Sequence, residues 1–488
     1  MTIQEMIYRH RTAKKIALIF GDEQVTYEQL WYYSQILSSQ LRKDASSNVA
    51  IYINNSIDYV IAYLGIIYAR KTVVPIDVNL TPKEIQSVLQ YCDVNTILTT
   101  SSFSDTLKKK ELIEKYKIID IKQQKYIHGN VDLFKAELGD IEDTIVLLHT
   151  SGTTDRPKRV MLTNKNLSSN IISNVSSLNL KNSDITLIAL PMYFGYCHTA
   201  QLLTHLYLGA TIVIYDGLFL PKHFCELVQK YKVTNFTGVP TMLQELLAYR
   251  YSKEYDLSSL EIVCFGGGKM SIEKLNQLIN KYTEIKFIQT YGQTECSPRV
   301  TLLPSKYMIK KLGSVGKPIP GVKICIKNKE GQLCVPNGIG EICVYGDNVM
   351  KGYYKCPTDT EKTIENGWLH TGDLGYLDDD GFLYLKGRIK NIIISGGINI
   401  YPEEIEGVLL GCPYIKDAYV YGVEDELLGE VPIAEIIVHS TVPENILSLI
   451  DTYCKENIAL YKIPKKFIIC EFIRKTYNGK TKRNPRKE

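Results

Sequence analysis

The sequence lacks paired cysteines, long apolar runs and a large excess of charge of either sign. Its 12 cysteines are scattered singly, without a CxxC pair or a close Cys/His set, which argues against a zinc site and a disulfide framework. No run reaches the roughly 18 apolar residues of a membrane span, and the stretch MTIQEMIYRHRTAKK is too polar for a signal peptide. A net charge of only +4 gives no basic field for nucleic acid. These absences predict a protein of the reducing cytoplasm, with neither nucleic acid nor a membrane span.

What is present is the composition of a globular protein. The 488 residues are 45% hydrophobic and 23% charged, enough for one large and one small domain. Short apolar runs alternate with helical patterns, and this rhythm predicts α/β layers with helices covering mostly parallel sheets. The predicted strands are VAIYINN (49–55), KTVVPID (71–77), TILTT (96–100), IVLLHT (145–150) and TIVIYD (211–216), and the predicted helices are 57–70 and 81–92.

Glycine-punctuated strands replace this rhythm from about Gly313 onward. VKICIKN, GEICVYG and GFLYLKG predict a small β-rich region, in which Cys325, Cys334 and Cys343 are strand residues rather than metal ligands. After GRIKNIIISGG (387–397), helix and strand patterns alternate again and predict a compact α+β unit. We therefore predict a large N-terminal domain over residues 1–388 and a small C-terminal domain over residues 389–488.

A loop of small residues follows the strand IVLLHT. It offers hydroxyl groups, a glycine and a cation in Thr150, Ser151, Gly152, Thr153, Thr154 and Lys158. Converging hydroxyl and amide groups suit phosphate oxygens, and a lysine supplies charge. The pattern differs from the GxxxxGK[ST] loop, and alone it also fits an ordinary polar turn.

Four further motifs carry residues suited to a nucleotide. YGQTE (291–295) ends in Glu295, a hard oxygen ligand for Mg²⁺. GGG (266–268) follows the strand EIVCF and lets a flat ring lie against the main chain. WLHTGD (368–373) places Asp373 at a strand-to-loop junction, where a carboxylate can bind both hydroxyls of a ribose. NGK (478–480) presents Lys480 from a tight turn. Taken singly, each motif also fits a surface turn.

Together these motifs resemble the adenylate-forming superfamily, which includes acyl- and aryl-CoA synthetases, stand-alone adenylation enzymes for carrier proteins, and luciferases. The resemblance rests on TSGTT…PK, YGQTE, GExxxxG…MxGYY (340–354), WLHTGD, GRIKNIIISGGINIYPEEIE and NGK, and it covers nearly the whole chain. It implies an ATP-dependent acid–thiol ligase. A carboxylate would attack the α-phosphate of ATP and release pyrophosphate, and a thiol would then displace AMP from the acyl-adenylate.

The resemblance also implies roles for individual residues. Thr294 would touch the α-phosphate, Glu295 would coordinate Mg²⁺, and Lys480 would bridge the carboxylate and the α-phosphate. The loop from Thr150 to Lys158 would bind the β- and γ-phosphates. The adenine and the ribose would be held by Gly266, Gly267, Gly268, Tyr291, Gly292, Asp373 and Arg388.

A second set of implied residues concerns motion and the thiol. Lys390 resembles the family's hinge, about which the small domain would turn between the two half-reactions. Gly396 and Gly397 would then border a tunnel for pantetheine, carried either by CoA or by an acyl or peptidyl carrier protein.

The acid pocket is expected around LPMYFGYCHT (190–199) and TNFTGVP (234–240). Its expected substrate contacts are Tyr193, Phe194, Tyr196, Phe236 and Gly238. The first segment lacks the aspartate with which amino-acid-activating members pair a substrate ammonium, and an unpaired ammonium would be costly in an apolar lining. An uncharged acyl or aryl acid is therefore favoured, although each aromatic side chain could equally pack in the core.

The phosphate loop departs from the family pattern at two positions, because members typically carry glycine where this chain has Asp155 and Arg159. With Arg156 and Lys158, residues 155 to 159 hold three positive charges and one negative, a net of +2. We therefore expect a neighbouring arginine to neutralise Asp155 and ATP to remain bound.

Other readings of the sequence remain open. Arg299 could meet a dicarboxylate, although a structural ion pair is the stronger expectation. The acceptor is either CoA or a carrier protein. The alternatives for the whole chain are an amino-acid loading enzyme, a luciferase-like oxygenase and a catalytically degenerate relative.

Overall fold

The computed structural model describes residues 1–101, 103, 115–124, 138–150, 158–268, 270–396, 398–440, 442–443 and 445–473. Several residues singled out above lie outside these ranges: Ser151, Gly152, Thr153, Thr154, Asp155, Arg156, Gly397 and Lys480.

The described residues form the strands β1 (Ile16–Phe20), β2 (Glu23–Thr26), β3 (Asn48–Tyr52), β4 (Thr72–Pro75), β5 (Val94–Thr99), β6 (Lys117–Asp120), β7 (Thr144–His149), β8 (Arg159–Thr163), β9 (Ile185–Ile188), β10 (Thr211–Ile214), β11 (Asn235–Gly238), β12 (Ile262–Phe265), β13 (Lys286–Gly292), β14 (Arg299–Leu303), β15 (Ser314–Pro318), β16 (Val322–Lys327), β17 (Gly340–Gly346), β18 (Gly352–Tyr353), β19 (Ile364–Glu365), β20 (Trp368–Leu377), β21 (Leu383–Arg388), β22 (Ile393–Ser395), β23 (Ile398–Ile400), β24 (Ile415–Asp425), β25 (Gly429–Val438) and β26 (Lys466–Ile469).

The helices are α1 (Ile3–Tyr8), α2 (Tyr27–Arg42), α3 (Ile57–Tyr68), α4 (Pro82–Tyr91), α5 (Ile121–Gln124), α6 (Asn164–Leu178), α7 (Gly195–Cys197), α8 (Thr204–Leu208), α9 (Pro221–Tyr231), α10 (Pro240–Ala248), α11 (Ile272–Lys281), α12 (Pro357–Thr363), α13 (Pro402–Leu409) and α14 (Ile446–Asn457). A π-helical turn, His198–Leu203, joins α7 to α8. None of the described helices is long and apolar enough to cross a membrane.

One sheet of the large domain has the strand order β18-β8-β7-β4-β3-β5-β6. Its pairs from β7 to β6 are parallel, and the hairpin of β7 and β8 closes one side with antiparallel pairing. Helix α3 is buried along its whole length, as its unbroken apolar run predicts, and Ser56 caps its first turn. Helix α4 begins at Pro82 and is preceded by the N-cap residue Thr81, which forms a capping box with Glu84 where the sequence predicts a helix.

A second sheet changes character along its length. Strands β9 to β13 pair in parallel, whereas the strands from β14 to β21 pair antiparallel. The antiparallel part is the β-rich region that the glycine-punctuated sequence predicts. Because β11, β12 and β13 are parallel neighbours, their carboxyl ends lie side by side at one edge of the sheet.

The last hundred residues contain a third sheet, of order β23-β22-β25-β24 with β26 beside β25. Helices α13 and α14 pack on it around a separate apolar cluster that includes Ile405, Val420 and Ile450. The fold class is thereby confirmed as α/β with a large N-terminal part and a small C-terminal α+β part. The proposed boundary after Arg388 falls between β21 and β22, and it stays a prediction.

Three sequence predictions change at the level of single residues. Strand β3 ends at Tyr52 rather than at residue 55, because Asn55 turns to the second sheet and donates to the carbonyl oxygens of Leu190 and Tyr215. Cys334 lies in the loop between β16 and β17 rather than in a strand, while Cys325 and Cys343 face each other across those strands.

Arg159 is the third change, because it does not belong to the phosphate loop. It begins strand β8 and is 3% exposed, and its Nη1 donates to the carbonyl oxygen of Pro75 at 3.2 Å. A buried guanidinium held in this way cannot contact a phosphate at the loop surface, although burial and then its charge lower the pKa of the neighbouring His149. The count of +2 for residues 155 to 159 stands, but Arg159 is not a surface cation of the loop.

Candidate active site

The candidate site begins at the adjoining ends of β11, β12 and β13. Gly266 directly follows β12 and packs tightly against β13. A Cβ at this position would lie 2.6 Å from the carbonyl oxygen of Thr290. At Gly292 a Cβ would lie 1.8 Å from the carbonyl oxygen of Pro298. Both positions therefore require glycine, and together with the exposed Gly267 and Gly268 they leave main chain open beside Tyr291.

Asp373 is the best-fixed carboxylate of the site. It accepts a hydrogen bond from the hydroxyl of Tyr291 at 2.8 Å, and its other oxygen lies 2.8 Å from Nε of Arg388. Asp373 lies within strand β20 rather than at the predicted strand-to-loop junction, because β20 continues to Leu377 and pairs Asp373 with Arg388. Burial and then the Asp373 charge raise the pKa of Tyr291, so its hydroxyl stays a donor.

The part of strand β20 that carries Asp373 is anchored by a residue that the sequence reasoning missed. Glu341 accepts the backbone N–H of Gly372 at 3.0 Å and lies 2.8 Å from Nδ1 of His370. With Cys343, these side chains place their ligand-type atoms within 4.8 Å of one another, although no close Cys/His set is visible in the sequence. The two hydrogen bonds of Glu341 anchor β20 to β17 beside Asp373. Its signal in the sequence is the GE of GExxxxG.

Glu295 and Thr294 form a tight turn directly after β13. The Glu295 carboxylate is partly buried and accepts a hydrogen bond at Oε1 from the hydroxyl of Tyr353, at 3.0 Å. Burial raises the pKa of Glu295, while the Tyr353 bond and the Arg388 charge act in the opposite direction. Thr294 approaches the acid side, since a Cβ at Gly195 would lie 3.3 Å from its Oγ1.

Lys158 ends the phosphate loop, and its ammonium group is already engaged. Nζ lies 2.7 Å from Oδ2 of Asp359 on α12 and 4.7 Å from the ring centroid of Tyr353. Thr150, at the other end of the loop, donates its backbone N–H to the carbonyl oxygen of Lys158 at 3.3 Å. The two ends of the loop therefore meet, and the intervening residues lie outside the described ranges.

The acid side of the site is aromatic. Tyr193 donates its hydroxyl to Oδ1 of Asp77 at 2.9 Å, and its ring packs edge-on against Phe194 with 4.8 Å between centroids. The hydroxyl of Tyr196 lies 2.8 Å from Oγ1 of Thr290, next to the glycines after β12. Tyr193 and Phe194 thus pack together and Tyr196 lies beside Thr290, and their contact with the acid stays a prediction.

Phe236 lies apart from these three residues, although it was predicted among the substrate contacts. It is 1% exposed and packs on Phe219 and Phe224, with ring centroids 6.2 and 4.9 Å away. Strand alternation explains the difference, because β11 turns Phe236 toward the core cluster that covers that face of the sheet. Gly238 ends β11, where a Cβ would lie 2.7 Å from the Phe236 ring.

Arg299 is expected from the sequence to form a structural ion pair. It is 1% exposed, and Nη1 donates to Oδ1 of Asn174 at 2.8 Å. Among the described residues it forms no ion pair, and the structural ion pair stays a prediction. The side chain lies behind Tyr196, with 6.0 Å between the guanidinium carbon and the ring centroid.

Of the predicted hinge and tunnel residues, Lys390 and Gly396 are described and both are exposed. Lys390 is exposed in the short turn Ile389–Asn391, directly after β21. Gly396 has a φ of +55°, and its N–H donates to the carbonyl oxygen of Leu428 at 2.7 Å. A positive φ suits glycine at this position.

These residues can hold a nucleotide with a hard metal ion. Carboxylate and hydroxyl oxygens are the ligands that Mg²⁺ prefers, and Glu295 and Thr294 supply both kinds at one turn. Burial raises the pKa of Glu295 because it disfavours the charged carboxylate. A cation bound beside the carboxylate would favour the charged form again, so the donor set fits Mg²⁺. The arrangement can therefore position a polyphosphate between Lys158 and Glu295, with the ribose at Asp373.

Comparison with known proteins agrees with this geometry. The family model described as AMP-binding enzyme matches residues 8–354, and the AMP-binding enzyme C-terminal domain matches residues 404–480. The 2-succinylbenzoate–CoA ligase of Bacillus subtilis (strain 168) is 34% identical over 98% of this chain and 96% of that protein. The oxalate–CoA ligase of Arabidopsis thaliana is 32% identical over 95% and 93% of the two chains.

Solved structures of o-succinylbenzoate CoA synthetase from Bacillus subtilis are similar to the whole chain. The complex with the acyl-adenylate OSB-AMP has a TM-score of 0.89 at 32% identity and covers 99% of this chain and 97% of that one. The complex with ATP and magnesium ion has the same TM-score and identity and covers 98% of each chain.

Proposed function

The chain belongs to the AMP-binding enzyme family, and on this premise we propose that it joins a small carboxylic acid without an ammonium group to CoA. The chain is an AMP-forming acid–thiol ligase, and the identities of the acid and of the thiol are the proposed part. The observation that carries the proposal is that Tyr353 contacts both Glu295 and Lys158, while Asp373 is hydrogen-bonded to Tyr291 near the end of β13.

In the first half-reaction an oxygen of the substrate carboxylate attacks the α-phosphorus of ATP. The bond between that phosphorus and the oxygen bridging to the β-phosphorus breaks, and pyrophosphate leaves with its electron pair. Such a step needs positioning and neutralised charge more than proton transfer. Mg²⁺, when bound, supplies part of that neutralisation.

Each part of the nucleotide has a proposed partner. Asp373 accepts the ribose hydroxyls, while Arg388 and Tyr291 hold its carboxylate in place. Glu295 ligates Mg²⁺, and Thr294 donates to the α-phosphate. The phosphate loop from Thr150 to Lys158 binds the β- and γ-phosphates, and the glycines after β12 face the adenine.

In the second half-reaction the thiol sulfur attacks the acyl carbon, and AMP leaves with the oxygen that joined it to the acyl group. We propose that the C-terminal domain turns about Lys390 to bring Gly396 and Gly397 to the thiol. Lys480 acts only in the first half-reaction. Lys480→Ala should therefore suppress pyrophosphate exchange more than it suppresses thioester formation from supplied acyl-adenylate.

The acid is proposed to be an acyl or aryl acid. The segment 190–199 contains no Asp or Glu, so it supplies no carboxylate to pair with a substrate ammonium. The B. subtilis relative is named for 2-succinylbenzoate and the A. thaliana relative for oxalate, and neither acid carries an ammonium. 2-Succinylbenzoate is the first acid to test, with ATP and Mg²⁺ as the complex of the solved relative suggests.

The test is pyrophosphate exchange over a panel of acids, followed by thioester formation. The panel comprises 2-succinylbenzoate, oxalate, benzoate and phenylalanine, and active acids are then offered CoA or a phosphopantetheinylated carrier protein. We expect exchange with 2-succinylbenzoate and a CoA thioester as product. Exchange with phenylalanine alone, or transfer to the carrier but not to CoA, would overturn the proposal.

A further inference from the structure

Tyr353 connects two groups that the proposed reaction uses, and none of the roles given above includes it. It lies in the short strand β18, which pairs with β8 so that Tyr353 is opposite Val160. Its backbone N–H donates to Oγ1 of Thr360 at 2.9 Å, and its side chain is buried. The residue is therefore held from the strand side and from α12.

The hydroxyl of Tyr353 orients Glu295. It donates to Oε1 at 3.0 Å, and the carboxylate it contacts belongs to a segment 58 residues earlier in the chain. A carboxylate has about four lone-pair sites, so one hydroxyl donor fixes its direction and leaves capacity for a cation. Burial and the Glu295 charge both raise the pKa of Tyr353, which keeps the hydroxyl protonated and donating.

The ring of Tyr353 supports Lys158. The ammonium nitrogen lies 4.7 Å from the ring centroid, within the range of a cation–π contact, and it also meets Asp359 at 2.7 Å. Asp359 comes from α12, which follows β18 directly. One side chain thus lies between the cation that ends the phosphate loop and the carboxylate proposed to hold the metal.

We propose that Tyr353 is a positioning residue that sets the spacing between Lys158 and Glu295 for magnesium-bound ATP. The inference rests on the proposed function, since it assigns those two residues to phosphate and metal. The hydroxyl acts on the metal side through Glu295, and the ring acts on the phosphate side through Lys158. The two contributions can therefore be separated by removing the hydroxyl alone or the whole ring.

The experiment compares Tyr353→Phe and Tyr353→Leu with Tyr354→Phe as the matched control. Tyr354 is the next residue, and its hydroxyl donates to Asp93 at the surface instead. Binding of ATP is measured by calorimetry with Mg²⁺ and with EDTA, and the Mg²⁺ dependence of pyrophosphate exchange is measured in parallel. Thermal unfolding of each variant reports on folding.

We expect Tyr353→Phe to weaken ATP binding about tenfold with Mg²⁺ and to leave binding in EDTA unchanged, because only the bond to Glu295 is lost. Its half-saturating Mg²⁺ concentration should rise, while kcat recovers at high Mg²⁺. Tyr353→Leu should also weaken binding in EDTA, by about threefold, because Lys158 loses the ring. Tyr354→Phe should match the native chain in both conditions.

Two results would overturn the inference. One is a Tyr353→Phe variant that binds ATP with Mg²⁺ as tightly as the native chain. The other is an equal loss with Mg²⁺ and with EDTA, which would mark a merely structural role. Failure of the proposed function is distinguishable, because it would show as no exchange by the native chain with any acid, while the two binding titrations would still report on Tyr353.

Discussion

The nucleotide side and the acid side of the site are built on different principles. On the nucleotide side, charged and polar groups from distant segments are tied together, as in Tyr291 with Asp373 and Tyr353 with Glu295. On the acid side, Tyr193, Phe194 and Tyr196 offer mainly ring surface. Phosphoryl transfer needs charges at fixed points, whereas ring surface shapes a pocket without fixing a charge. The second carboxylate of an acid such as 2-succinylbenzoate or oxalate would need a polar partner besides these rings. The nucleotide side is therefore suited to the step that every acid undergoes, whereas the acid side is suited to selecting the acid.

The largest effect is expected from a variant that tests whether Phe236 belongs to the apolar core or to the predicted acid pocket. Phe236→Ala should lower the free energy of unfolding by about 3–5 kcal/mol, because it removes a ring packed against Phe219 and Phe224. Denaturant unfolding measures the loss. At a temperature where the variant is folded, its KM for the acid should equal the native value, and a selective rise in that KM would return Phe236 to the pocket.

The nucleotide side is tested next through Asp373. Asp373→Asn keeps an acceptor for the Tyr291 hydroxyl but removes the negative charge that pairs with Arg388. We therefore expect kcat/KM for ATP to fall about 30-fold, which corresponds to about 2 kcal/mol. Pyrophosphate exchange at varied ATP measures this change. Asp380→Asn is the control, because Asp380 pairs with Lys311 at the exposed end of the same hairpin. An equal fall in both variants would remove Asp373 from the ribose site.

Sequence reasoning succeeded where local patterns decide the structure. The predicted helix over 81–92 has its capping box at Thr81 and Glu84. The motifs YGQTE and WLHTGD, far apart in the sequence, meet in the hydrogen bond from Tyr291 to Asp373. The role of GGG beside a flat ring stays a prediction.

Other features depend on contacts between segments that no local pattern reports. Lys158 pairs with Asp359 some 200 residues later, and Glu341 anchors Gly372 across two strands. The direction of Phe236 depends on which face of β11 the aromatic cluster covers. Arg159 looks like a loop cation in the sequence, yet pairing of β7 with β8 makes it a buried strand residue.

The predicted acid side is tested through Phe194, whose ring packs edge-on against Tyr193. Phe194→Ala removes part of the ring wall, so the KM for the acid should rise about tenfold, while the KM for ATP stays constant. Steady-state kinetics with each substrate varied in turn measure both constants. A parallel rise in both would mean that the two sides of the site are not separable.

The smallest effect is expected at Asp155, and the structure alters the reason for expecting it. With Arg159 buried, residues 155 to 158 carry two positive charges and one negative, a net of +1. The positive charge of Lys158 is shared with Asp359, so the loop has less spare charge than the sequence suggests. Asp359 is exposed enough for solvent to weaken that pair, and an incoming phosphate can displace it.

Asp155→Gly should therefore lower the KM for ATP by less than about tenfold. A larger fall in the KM for ATP would mean that the loop of the native chain binds phosphate poorly. The nucleotide side would then bind its substrate less well than the acid side does.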